Sequence, residues 1–415
     1  MLERIKRRIY TMLKGKRFIN LAPIDYRLFM TLIAINIFGI IMIYSASYYF
    51  CSKTPAYGNN PSYLFENQLE LAIVGMVGML LLSFIDYRVL RKFAPLALVL
   101  SIVLIGLLFT PLRVEVKGAV RWIRIMGRTI QIAEPVKLCM IFWVAHYVAK
   151  YDVTKLRYLV PLLLALFFVF AAIYKISDNM STAVIIFGIG ILLIFMVHPN
   201  WKFFVTMAAI GGVLVLLAVG YFMSLDPSDE YGGFRIVRVL AWLHPEQFAD
   251  SQALQPLNAL YAIGSGGLFG RGLGQSLQKY RIPEPQNDFI LAIVSEELGL
   301  VGVLVLMGLF LYLLYRVMTI ASRATDRFGR MLACGVFFHI ALQVILNIAV
   351  VSNFMPTTGV TLPFISSGGT AVMFLLLEFG LVFSVDRASK EDLIRKRAKA
   401  QIDAEREYPT YGERG

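Results

Sequence analysis

The sequence predicts an all-α polytopic membrane protein of about ten transmembrane helices, with a large extracytoplasmic loop between the seventh and eighth. Three observations carry that prediction. The 415-residue chain is 58% apolar and 16% charged, with a mean hydropathy of +0.68. A soluble domain has about 45–50% apolar and about 25% charged residues, and could not hide the surplus. Second, the apolar residues gather into runs close to the roughly 20 residues that a bilayer-spanning helix needs. Third, lysine and arginine collect in the connections that follow even-numbered runs, as the preference for basic residues on the cytoplasmic side requires.

The same composition excludes a disordered chain and a disulfide scaffold, since Cys51, Cys139 and Cys334 are an odd set with no CxxC spacing. His146, His198, His244 and His339 are scattered and form no HxxxH or HExxH pair. A formal charge of +13 would suggest nucleic acid in a soluble protein. Here basic anchoring against anionic lipid headgroups accounts for it, so membrane lipids and not nucleic acid are the expected partners.

Residues 1–24 form a basic segment with Arg4, Lys6, Arg7, Arg8, Lys14, Lys16 and Arg17. It has no apolar core before the first long span, so no cleavable signal is expected. The membrane domain is expected over 25–386. Its spans read Arg27–Phe50, Gln68–Ile85, Ala94–Thr110, Pro135–Ala149 and Tyr158–Tyr174, then Thr182–Val197, Phe203–Met223, Asp288–Leu314, Met331–Val351 and Gly368–Val385. Arg88, Arg91 and Lys92 follow the second span, and Arg316, Arg323, Arg327 and Arg330 follow the eighth. The tail, 387–415, is polar and helix-prone, with Arg387, Lys390, Arg395, Lys396, Arg397 and Lys399. An even number of spans puts both termini in the cytoplasm.

One connection breaks the charge rule. Between the third and fourth spans, Arg113, Lys117, Arg121, Arg124 and Arg128 face a single acid, Glu115. An anionic ligand at the outer surface would explain them; headgroup snorkelling beside Trp122 is the alternative. If this stretch is helical, Arg121, Arg124 and Arg128 share a face, although Gly118 and Gly127 count against a full helix.

The connection from Ser224 to Asn287 is the one long enough to build a site. It opens with Asp226, Asp229 and Glu230, then turns amphipathic from Phe234 to Pro245, with Arg235 and Arg238 on one helix face. Paired guanidiniums suit a diphosphate, because each offers a planar fork of donors. The glycine-rich run Gly264–Gly274 lacks the spacing and the preceding strand of a nucleotide loop, and reads as a sharp bend at the membrane rim. Lys279 and Arg281 follow.

Asp288 stands where this loop meets the eighth span. It reads either as a helix N-cap or as a carboxylate poised near several arginines to act as a general base. Glu296 and Glu297 lie about two turns deeper, where acids are costly and point to function or a buried ion pair. At about 100° apart on a helix they cannot both face one partner. Glu134 and Lys137, three apart, are expected to pair. After Gln343 and Asn347, the segment Pro356–Thr370 holds Thr357, Ser366, Ser367 and Gly368. Broken backbone at that depth is tolerated only where it is buried in protein or lines a wet cavity, and its donors could bind sugar or phosphate oxygens.

Four ordered segments, Lys117–Ile123, Gly264–Gly274, Pro283–Ile290 with Glu296–Gly299, and Pro356–Gly369, resemble the SEDS family (shape, elongation, division and sporulation), which includes FtsW, RodA and SpoVE. Tyr44-Ser45-Ala46-Ser47 fits as well, and the resemblance spans roughly residues 25 to 386. The chain departs from the family pattern at Gln286-Asn287, where His-Thr is usual, and at Gln131–Glu134, Asp178–Thr182 and Ser367. Length and tails look more like the division-type members.

The resemblance implies a peptidoglycan glycosyltransferase acting on lipid II, an undecaprenyl diphosphate-linked muropeptide, at the outer face of the bacterial cytoplasmic membrane. Asp288 is the implied base. Lys117, Arg121, Trp122, Arg124, Arg235, Arg238, Lys279, Glu296, Thr357, Ser366, Ser367 and Gly368 are the candidate substrate contacts. A divalent ion could assist the diphosphate, though no metal-ligand cluster is visible. The implied partners are a class B penicillin-binding protein and other division or elongation membrane proteins. A lipid II flippase and a non-catalytic division scaffold are the rival readings.

Overall fold

The computed structural model describes residues 22–116, 119–125, 127–225 and 234–407. Twelve helices of ten or more residues are described, with a small sheet between the third and the fourth. Helix α1 is Tyr26–Lys53, α2 is Tyr63–Phe84 and α3 is Tyr87–Phe109, which includes two 3₁₀ turns. Helix α4 is Ala133–Lys150, α5 Leu156–Ile176, α6 Met180–Val197 and α7 Trp201–Met223. Helices α8, Phe234–Leu243, and α9, Leu254–Gly266, belong to the long loop. Then come α10, Ile290–Arg323, α11, Arg327–Val351, and α12, Gly369–Glu407.

Polar caps start several of these helices. The Asp25 side chain accepts from Leu28 N–H at the head of α1, and Asn179 and Asp326 do the same for α6 and α11. Among the described residues, nine helices are long and apolar enough to cross a bilayer. Helix α4 falls outside that set because it carries Glu134, Lys137 and Lys150. It nevertheless crosses the bundle. Its first turn adjoins the sheet, where Ile132 N–H donates to Arg121 O, and its far half packs on Phe328. The two charges survive inside the bundle because Lys137 Nζ sits 3.0 Å from Glu134 Oε1, the expected pair.

The start of the first span and the extension of the last meet on one side of the bundle. Lys390 Nζ on α12 donates to Pro23 O, 2.9 Å away. Arg316 of α10 pairs with Asp25. Tyr87 at the start of α3 donates to Asp326 at the start of α11, and Arg88 pairs with Asp392 at 2.6 Å. That cluster defines a tail end. The sheet, α8, α9 and the segment 352–368 define the opposite, site end. Helix α12 runs without a break past Val385 to Glu407, so the polar tail continues the last span. The basic segment 1–21 lies outside the described residues.

The basic connection at the site end is a sheet and not a helix. Strands β1, Arg113–Val116, β2, Ala119–Ile125, and β3, Arg128–Gln131, form an antiparallel meander, with Trp122 paired to Val114 on one side and Gln131 on the other. Gly127, at φ 80°, makes the β2–β3 turn. Alternation along β2 therefore puts Arg121 and Arg124 on opposite faces. The shared face expected from a helix does not form.

Candidate active site

Helix α10 is interrupted. Gly299 has φ 68°, ψ −169°, which breaks the hydrogen-bond ladder and orphans the carbonyls of the preceding turn. The glycine-rich run fills the break. Arg271 N–H and Gly272 N–H donate to Glu296 O and Glu297 O, both at 2.9 Å, while Leu300 N–H reaches back to Gly267 O, also at 2.9 Å. A Cβ on Gly299 would lie 2.3 Å from Gly270 N, and one on Gly270 would lie 2.2 Å from Glu297 O. The run is a plug in a helix break, which is why a backbone without side chains is needed there.

Both glutamates serve this joint. Glu296 accepts from Leu277 N–H (3.0 Å), Gln278 N–H (3.1 Å) and Ser276 Oγ, and Glu297 accepts from Ser45 Oγ. Ser276 also offers its N–H to Glu297 at 3.4 Å. One residue thus meets both acids, against the expectation from helix geometry, because the loop folds around the broken helix end. Lys279 is buried with them, its Nζ 2.6 Å from Gly274 O and 3.7 Å from Glu297 Oε1.

A second set of bonds holds the turn that precedes α10. Ser367 N–H donates to Gln286 O at 2.8 Å, Ser366 Oγ to Asn287 O at 2.8 Å and Asn347 Nδ2 to Asp288 O at 2.8 Å. Gly368 N–H is anchored to Gln68 Oε1 at 3.2 Å. The segment that supplies these donors is itself sunk in the bundle: Leu362, Phe364, Ile365 and Ser366 are buried. Gly39 of α1 admits it, since a Cβ there would strike Phe364 O. The expectation of protein-buried broken backbone is met.

Asp288 emerges from this clamped turn into a cavity of about 280 Å³. The cavity is lined by Arg238, Ser251, Gln252, Gln255, Thr357 and Gly359, with Leu254, Pro283 and Phe289 as its apolar wall. The N-cap position of α10 is Phe289, one residue beyond Asp288, and its side chain makes no cap. Arg238 reaches in from α8 and donates to Thr357 O at 3.4 Å. Burial and the neighbouring Arg121 push its pKa below the ordinary arginine value, while Asp288 and Asp178 oppose that. Arg121 in turn bridges from β2 to the α5–α6 turn, donating to Ser177 O (3.2 Å) and Asp178 O (2.9 Å). Asp288 and the guanidiniums of Arg238 and Arg121 thus come together where α8, β2 and the α10 turn meet, with the Asp178 carboxylate near enough to act on Arg238. Such a site favours an anionic ligand with a hydroxyl to deprotonate.

The family described as "Cell cycle protein", that of FtsW, RodA and SpoVE, matches residues 26–391. The chain belongs to this family. A probable peptidoglycan glycosyltransferase FtsW from Trichlorobacter lovleyi is 34% identical over 377 residues, covering 89% of this chain and 95% of that one. Stage V sporulation protein E from Bacillus subtilis is 36% identical over 367 residues, covering 87% and 96%. Among solved structures, a chain of a peptidoglycan synthase complex superposes with a TM-score of 0.71 at 23% identity, covering 88% of this chain and 98% of that one. Thermus thermophilus RodA superposes at 0.61 with 23% identity, covering 88% and 97%. These two likenesses establish the fold.

Within this family member the structure sorts the residues expected from sequence. It brings Asp288, Arg238 and Thr357 to one cavity, with Arg121 beside Arg238. Ser366, Ser367 and Gly368 act behind that cavity as the backbone clamp. Glu296 and Lys279 belong to the helix-break joint, and neither lines the cavity. Arg124 is exposed, and Trp122 is half-buried in the sheet. Lys117, the acids Asp226, Asp229 and Glu230, and the Arg235 side chain lie outside what is described, so the expected Arg235–Arg238 pair has no structural account. Sequence reasoning missed Ser251, Gln252 and Gln255, which carry no local signal distinguishing them from other polar loop residues.

Proposed function

We propose that the protein is a peptidoglycan glycosyltransferase that polymerises lipid II at the outer face of a bacterial cytoplasmic membrane. The observation that carries this reading is the meeting of Asp288 and Arg238 at one cavity, with Arg121 beside Arg238, on one end of a membrane bundle. Relatives named as probable peptidoglycan glycosyltransferases support it. Asp288 takes the proton from the C4 hydroxyl of the acceptor sugar as that oxygen bonds to the anomeric carbon of the donor. The bond from that carbon to the diphosphate breaks in the same displacement, which inverts α to β. The departing undecaprenyl diphosphate carries the negative charge, and Arg238 and Arg121 receive it. Arg238 lines the same cavity as Asp288 and attracts its carboxylate as well as the departing diphosphate.

Both termini are cytoplasmic in this reading, with the site end outside. A class B penicillin-binding protein that cross-links the emerging glycan is the proposed partner.

Purified protein given lipid II should yield glycan chains resolvable on a gel. Asp288→Asn should fold and insert normally yet yield none. Wild-type polymerisation by that variant would remove Asp288 from the chemistry and favour the transporter or scaffold reading.

A further inference from the structure

We propose that Asn347 is a positioning residue that sets the distance between Asp288 and the adjoining segment 357–360 of the cavity wall. The proposal rests on the glycosyltransferase reading above. Asn347 is fully buried near the site end of α11. Its one amide nitrogen donates to Asp288 O at 2.8 Å and to Val360 O at 2.7 Å. These carbonyls belong to segments far apart in the chain, and Asp288 and Gly359, at or next to them, both line the cavity. Val360 follows Gly359, where a Cβ would lie 3.5 Å from Asp288 Oδ2. Two residues before Gly359, Thr357 O receives the Arg238 guanidinium. A single planar NH₂ group therefore spaces the base-bearing turn from the wall on which the cation docks.

The chemistry of the amide explains the residue type. An amide nitrogen has two donors in a fixed fork, enough for both carbonyls. Aspartate has the same shape and no donor; leucine has similar bulk and no polar atom. Ser366 and Ser367 hold the same turn by the carbonyls before Asp288, so loss of Asn347 should let the turn shift while leaving it attached. A displacement of about 1 Å at a reacting group can cost about a hundredfold in rate. The charged group that faces Asp288 across the cavity is Arg238, with Arg121 and Asp178 beyond it.

The experiment compares wild type, Asn347→Leu and Asn347→Ser in detergent, measuring kcat and KM for lipid II, the pH profile of kcat/KM and the thermal midpoint. Asn347→Leu should lower kcat about ten- to a hundredfold, with KM changed by less than about twofold. Its acid limb should move to higher pH, because Asp288 drifts from the cation that holds it ionised. Asn347→Ser keeps one donor, so it should fall between the two, and it also reads the effect if the leucine variant does not fold. A lower thermal midpoint with kcat and pH profile unchanged would make Asn347 a purely structural residue and overturn the proposal. An inactive wild type would instead overturn the polymerase reading, and this proposal with it.

Discussion

At the scale of the residue, the site depends on how few charges do opposed things. In the proposed reaction Asp288 must be ionised to accept a proton, and the leaving diphosphate needs cations. Under that proposal Arg238 would serve both ends, since it lines the same cavity as the carboxylate and is half-buried where its field is little screened. Two carbonyls of the α5–α6 turn hold the Arg121 guanidinium. Arg238→Ala should therefore reduce kcat/KM by roughly ten- to a hundredfold, the worth of a charge-assisted hydrogen bond of about 1.5–3 kcal/mol. Arg121→Ala should show a similar loss and also loosen the sheet, which a lower thermal midpoint would register. Full activity in both variants would take the clamp out of the mechanism.

At the scale of the element, the decisive feature is the broken helix α10. Alone, a helix interrupted inside a bilayer would leave carbonyls without donors. The glycine run supplies those donors, and Glu296 and Glu297 anchor its continuation through Ser276, Leu277 and Gln278. The joint thus holds the long loop, and through it α8 and α9, against the membrane domain. Gly299→Ala would place a methyl within 2.3 Å of Gly270 N at a φ that L-residues resist. The expected result is a large loss of thermal stability in detergent together with lost polymerisation. An alanine variant with the wild-type midpoint would mean the break is not strained.

At the scale of the whole molecule, contacts at the tail end tie the first span to the last. Asp25 caps α1 and pairs with Arg316, whose side chain is 10% exposed. Burial works against ionisation of Asp25, but Leu28 N–H and Arg316 outweigh it and hold the carboxyl below its ordinary range. A depressed pKa gives stability that is present above the unfolded value of about 3.9 and is lost as pH falls through the folded one. Arg316→Met should leave a buried charge unpaired and destabilise by about 3–5 kcal/mol, read as a lower thermal midpoint at pH 7. The shortfall should shrink as pH drops below about 4. Because Pro23 and Lys390 meet on one side, the described residues between them cross the bundle an even number of times. A reporter fused after Lys399 should be active only in the cytoplasm, and activity only outside the cell would refute the proposed orientation.

The fold class was legible in the sequence because burying apolar residues in a bilayer leaves a compositional mark that needs no tertiary information. Span positions followed from the same runs, and the parity of the ends from the distribution of lysine and arginine. Asp288 stood out because an acid at the head of a span after a glycine- and arginine-rich loop has few bland explanations. Other features required the tertiary structure. The span of α4 and its Glu134–Lys137 pair could be read from sequence, but the second acceptor of Lys137, Gln343 Oε1 of α11 at 3.4 Å, could not. The arginines of 113–128 could not be paired correctly until the strand geometry put Arg121 and Arg124 on opposite faces. Arg121 and Arg238 lie 117 residues apart in number, and Asn347 lies on a different helix from the turn it holds. Local sequence encodes which segments are apolar, helical or basic. Which donor meets which carbonyl is set by long-range packing, and that packing turned a scatter of polar residues into one cavity.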